Sequence, residues 1–147
     1  MNKRNKRNKR ITRVLATIGL VLSGSCIAIT IPDHGLSKYC QDVVRTMDEV
    51  YENGALTQCY FKDLSLLEAY TQYRALLIDG KQFLIENLEN NQNIEMPCPS
   101  EGCIAIRYHW NGDQNLKIEQ EFAGGETHLQ FVQDTKGTAL EIIQYPD

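Results

Sequence analysis

Between Arg13 and Asp33 the chain runs nineteen residues without a charge, VLATIGLVLSGSCIAITIP. No other feature restricts the fold so strongly. With Ile11 and Thr12 in front, the stretch approaches the ~20 residues with which a helix crosses the hydrocarbon core of a bilayer. Its flanks differ in sign. Seven of the fifteen basic residues lie at or before Arg13, and all nineteen acidic residues lie from Asp33 onward. Lysine and arginine hold a flank on the cytoplasmic side, so the acidic part is translocated. The sequence therefore predicts a basic cytoplasmic tail at 1–13, a transmembrane anchor at 14–32 and a periplasmic domain at 33–147. The location is the inner membrane, crossed once.

Two other readings of the same stretch stay open. A cleaved signal peptide would use residues 14–22 as its apolar core, with the small residues Ser23 and Ser25 before the cut. That cut leaves an apolar new N-terminus, Cys26-Ile-Ala-Ile-Thr-Ile. A lipoprotein, or a secreted domain of unknown role, is the further alternative, with Cys26 as the lipid attachment point. Ser23 then stands where a branched apolar residue is usual. The uncleaved anchor is favoured because the run has spanning length. The opening MNKRNKRNKR repeats Asn-Lys-Arg three times. Beside a membrane segment such a run fixes orientation and touches anionic lipid heads. It is too short for a nucleic-acid-binding domain, so no direct nucleic-acid partner is expected.

Cys40, Cys59, Cys98 and Cys103 lie outside the apolar run. An even number of cysteines in an oxidising compartment reads as disulfides. Three pairings are open, and Cys40–Cys59 with Cys98–Cys103 is favoured because each pair is local. A zinc site would need a second close cysteine or histidine pair. None is present, so no metal or other cofactor is expected.

From Leu36 the period is helical. Leu36, Cys40, Val43, Met47 and Val50 recur at steps of four and three, and Gly54 supplies a stop. A second helix starts near Asp63, where Ser65 and Glu68 have capping-box spacing. Leu66, Tyr70, Tyr73 and Leu77 share its face. Phe83, Leu84, Ile85 and Leu88 suggest further helical turns. After Cys103 the period changes to two, with strands at 104–110, 115–122, 127–132 and 138–145 joined by turn residues. Loop lengths set Tyr108 opposite Leu116, Ile118 opposite Phe131, and Leu129 opposite Ile142. All apolar residues then share one face. The predicted class is α+β, an N-terminal transmembrane helix followed by two or three helices packed on a four-stranded antiparallel meander.

Candidate chemistry is sparse. The same register pairs Glu121 with His128 on the outer face. A histidine beside a carboxylate is a minimal acid–base unit, but here it faces solvent and lacks a third group. A pH-sensing pair is the milder reading, because imidazole titrates near neutral pH. No nucleophile elbow, phosphate loop or Cys-x-x-Cys redox motif occurs, so no catalytic residue is assigned and the chain reads as non-enzymatic. Tyr70, Tyr73, Tyr108 and Trp110 sit at core spacing, with a small apolar ligand between helices and sheet as an alternative. Gln120 points into the apolar face. Ile143 and Tyr145 point outward on the last strand, read as an edge where another chain could dock.

The basic start MNKRNKRNKR, the apolar anchor at 14–32 and the compact exported domain resemble, in their order, a group of small accessory proteins. These accompany membrane-bound winged-helix regulators in Gram-negative bacteria, and include the ToxS-like and Psa/Myf fimbrial regulator partners. The resemblance implies a domain that binds and stabilises the periplasmic part of a virulence or fimbrial gene regulator and senses pH or a ligand. It carries no catalytic residues. A type IV pilin-like subunit shares the helix-then-sheet order, but the Gly-Phe cleavage site and following Glu are missing. Two expectations follow: a membrane-anchored partner protein, or a periplasmic module for a small apolar ligand.

Overall fold

A computed structural model describes residues 35–147 of the chain. The predicted anchor and Cys26 lie outside the described residues. Among the described residues no helix is long and apolar enough to cross a membrane.

The expected helices-on-a-meander arrangement is overturned. The domain is a seven-stranded antiparallel sheet with two short helices. The strands are β1 (Cys40–Asp42), β2 (Ala55–Lys62), β3 (Ile94–Met96), β4 (Cys103–Trp110), β5 (Asn115–Phe122), β6 (Gly125–Gln133) and β7 (Gly137–Pro146). Across the sheet they run β1-β2-β7-β6-β5-β4-β3. The helices are α1 (Met47–Asn53) and α2 (Leu66–Leu76).

The long helix expected from Leu36 is not formed. Residues 40–42 instead pair with β2, and Cys40 stands directly opposite Cys59. Val43 N–H extends that ladder to Leu56 O at 2.9 Å. Only Met47–Asn53 stays helical. There the Thr46 backbone N–H donates to Glu49 Oε2 at 2.7 Å, and Glu49 N–H donates to Thr46 Oγ1 at 3.3 Å. These are the reciprocal bonds of a capping box. A step-of-three-and-four apolar pattern this short also fits a strand and a helix in succession. The disulfide and the ladder decide between them.

The second helix forms as expected and begins at Ser65, whose backbone N–H and hydroxyl both donate to Glu68. It buries Leu66, Ala69, Tyr70 and Tyr73 against the sheet. The expected third helix is a single 3-10 turn, Lys81–Phe83. Downstream, the backbone of Ile85 is held by two tyrosine hydroxyls of the core, which fastens this segment to it.

The strands expected at the C-terminal end are present, with shifts in partner. Leu129 faces Ile142 as expected. Tyr108 faces Ile118, not Leu116, and Ile118 faces Leu129, not Phe131. Phe122 pairs with Gly125, so Ala123 and Gly124 alone make the turn. A longer loop before β5 and a tighter turn after it each move the partners by two residues and leave every side chain on its expected face. Ile104 is the exception. A bulge between Cys103 and Ala105 turns it outward, to 58 % exposure, and buries Ala105. The core on the inner face includes Phe61, Ile106, Tyr108, Leu116, Phe131 and Leu140, all at most 1 % exposed.

Gly137 begins β7 at φ 157°, and a Cβ there would collide with the Phe61 carbonyl of β2. The close approach of the two backbones thus requires glycine at this position.

Candidate functional site

The inner face of the sheet is core. The outer face is the surface on which chemistry can be displayed. In an antiparallel sheet with one face covered, side chains of alternate parity form rows across the strands. One row reads Leu56, Ile143, His128, Glu119, Arg107 and Glu95, from β2 to β3. The next reads Gln41, Gln58, Glu141, Gln130, Lys117 and His109, from β1 to β4.

Glu119 is the hub of the charged half. Lys117 Nζ lies 2.6 Å from Glu119 Oε1, and His109 Nε2 lies 3.3 Å from Glu119 Oε2. His128 stands opposite Glu119 on β6. The Lys117 hydrogen bond, with the nearby Lys117, His109 and His128 charges, holds the Glu119 carboxyl below the usual carboxylate range. His128 Nε2 contacts Glu126 Oε2 at 3.1 Å, and its ring meets Tyr145 edge-on at 5.1 Å between centroids. Arg107 reaches Glu121 at 3.6 Å.

The expected Glu121–His128 pair is therefore corrected. The two-residue shift puts Glu119 opposite His128 and Glu126 opposite Glu121. Two like charges face each other there, each with its own cationic or imidazole neighbour. Such exposed pairs each contribute at most about 1 kcal/mol, so the lattice sets surface charge more than stability.

Ile143 and Tyr145 do lie on the outer face, but not on an edge. β2 covers β7 from Ala55↔Gln144 to Lys62↔Gly137. The proposed docking edge on β7 is overturned, because its backbone groups are already paired. The real edges are β1 and β3, each three residues long, which is one way a sheet limits edge-to-edge pairing.

Both expected disulfides are formed. Cys40–Cys59 staples β1 to β2, and Cys98–Cys103 closes the loop leading into β4. Among the described residues no group of three or more His, Cys, Asp and Glu side chains is placed to hold a metal ion. Gln120 is buried in the apolar face, as its parity requires. Its Nε2 donates to Phe83 O at 3.0 Å, so the amide ties the 3-10 turn to the sheet.

The tyrosines that could have walled a ligand cavity touch other rings. Tyr70 and Tyr73 lie 5.8 and 6.1 Å from Phe131 between centroids. An open depression of about 470 Å³ lies instead on the outer face, where Gln41, Gln58, Tyr60, Ala139 and Glu141 line it. Sequence reasoning missed this feature, because β2 was not recognised as a strand. Alternation of Cys59 and Phe61 with Gln58 and Tyr60 was the available signal.

The sequence matches no family model, and no curated protein or solved structure matches it either.

Proposed function

We propose that the chain is a membrane-anchored accessory protein whose exported domain binds and modulates a membrane partner. The partner class favoured by the resemblance of parts is a winged-helix regulator of virulence or fimbrial genes. The observation that carries the reading is the layering of the described domain: one face of a seven-stranded sheet holds the core, and the other displays ordered charge with apolar side chains beside it. The two disulfides support an oxidising compartment. The uncharged run and the charge split support the anchor.

The pH-sensing reading moves with the register. His109 and His128 flank Glu119, with Lys117, Arg107, Glu121, Glu126, Glu141 and Tyr145 around them. Protonation of the two imidazoles makes this face less negative, and a partner that reads its charge responds.

The test is purification of the full-length tagged chain from native membranes, followed by mass spectrometry of the intact bait and its companions. A bait of uncleaved mass with one stoichiometric membrane protein is the expected result. A shortened bait without companions refutes both the anchor and the partner role.

A further inference from the structure

Seven large apolar side chains are exposed among the described residues, and three of them, Val44, Met47 and Tyr51, fall within eight positions. Val44 is 98 % exposed, and Met47 and Tyr51 are 66 % exposed each. Met47 and Tyr51 are four apart on α1, so they share one face of the helix. α1 has no buried residue and meets the sheet beside β7, where Gly54 packs close to Ile143 and Tyr145. A surface helix normally turns its apolar stripe inward. Here only Val50 is half-buried, while Met47 and Tyr51 face out.

The segment is also held rigid at both ends. The capping box fixes its start. Arg45 Nη1 donates to Asn53 O at 2.9 Å and to Gly54 O, which satisfies carbonyls at the helix end. Its guanidinium is engaged in that task. Asp48, Glu49 and Glu52 stand exposed on the same helix, and Arg45 is the one cation of residues 42–54.

An apolar stripe with an acidic rim selects a partner of opposite character. We propose that the α1 face of Met47 and Tyr51, with Val44, is the docking site for an amphipathic helix with basic flanks, presented by the membrane partner. Apolar side chains supply the contact and the carboxylates exclude acidic competitors, as charge complementarity does at other interfaces. This inference rests on the partner reading above and names the partner's chemistry.

Site-specific photo-cross-linking in native membranes tests it, using full-length chains with a benzophenone side chain at position 44, 47 or 51. Chains labelled at Ile78, which is also exposed, and at Gln130 on the outer face serve as comparisons. The expected result is capture at all three α1 positions of one segment that reads as an amphipathic helix with net positive charge. Capture should fall at least tenfold in the Asp48→Lys/Glu52→Lys background, which spares the capping Glu49. Capture at Gln130 but not at the α1 positions overturns the inference and leaves the partner reading standing. Capture at α1 of an acidic or neutral segment, or capture unchanged by the charge reversal, overturns it equally. No capture at any position removes both.

Discussion

The hydroxyls of Tyr70 on α2 and Tyr108 on β4 meet at 3.3 Å, and Ile85 is clamped between them. Tyr70 Oη donates to Ile85 O at 2.7 Å, and Ile85 N–H donates to Tyr108 Oη at 2.9 Å. Burial pushes both phenols up from their ordinary values, so both stay neutral hydrogen-bonding groups. Two side chains thus satisfy both backbone groups of one residue and fasten the segment after α2 to the core.

Tyr108→Phe leaves the part-buried Ile85 N–H without its acceptor. The expected cost is about 1–3 kcal/mol, read as a lowered urea midpoint with an unchanged slope. Tyr70→Phe should cost less, about 1 kcal/mol, because it removes a donor from a carbonyl. The double substitution should fall short of the sum, since the three groups form one network.

The two disulfides should differ in weight. Cys40–Cys59 spans 19 residues and Cys98–Cys103 spans 5. Chain entropy gives about 3 kcal/mol for the first and about 2 kcal/mol for the second. Chemical denaturation of paired Cys→Ser variants should show that order. Proteolysis near β1 should rise in the first variant only.

Gly137→Ala places a methyl group against the Phe61 carbonyl at a positive φ. The expected destabilisation is about 1–3 kcal/mol, measured by thermal or urea unfolding. Gly112→Ala is a control, because nothing lies within 4 Å of a Cβ there and only its φ of 70° opposes it. Its loss should be the smaller of the two.

Acid should weaken the domain through its carboxylates. Hydrogen bonding to Lys117 lowers the Glu119 pKa in the folded state. A group with a lowered folded pKa contributes stability above its unfolded pKa and loses it as pH falls through the folded value. The Glu119 contribution is therefore complete near neutrality and is lost as pH falls from the ordinary carboxylate range through the lowered folded value. Stability against pH for the wild type and Glu119→Gln should differ above that range and converge below it.

Local chemistry explains which parts of this architecture could be read from residues. Ser65 and Glu68 announce α2, because a capping box needs only those two side chains and the adjoining amides. The strands from Cys103 onward announce themselves by period two. Their faces survived a two-residue error in the turns, since parity is blind to even shifts. The outer-face site was legible only in part. His128 was correctly placed outside, but its cross-strand neighbour Glu119 depended on a turn two residues shorter than the loop residues suggested.

The sequence by itself determined the segregation of charge around an uncharged run and the side of the sheet on which His128, Gln120 and Tyr108 stand, and it favoured the two local cysteine pairs. Each depends on composition or on neighbours a few positions away. Tertiary structure alone decided that residues 40–42 are a strand, and it made a strand of 55–62, whose alternation is confined to its second half. It decided too that β7 lies inside the sheet and that Met47 and Tyr51 face outward. The physical reason is that a strand's backbone groups must find partners, and those of β2 find theirs on β7, with Gln58 Nε2 reaching Glu141 across 83 residues of chain.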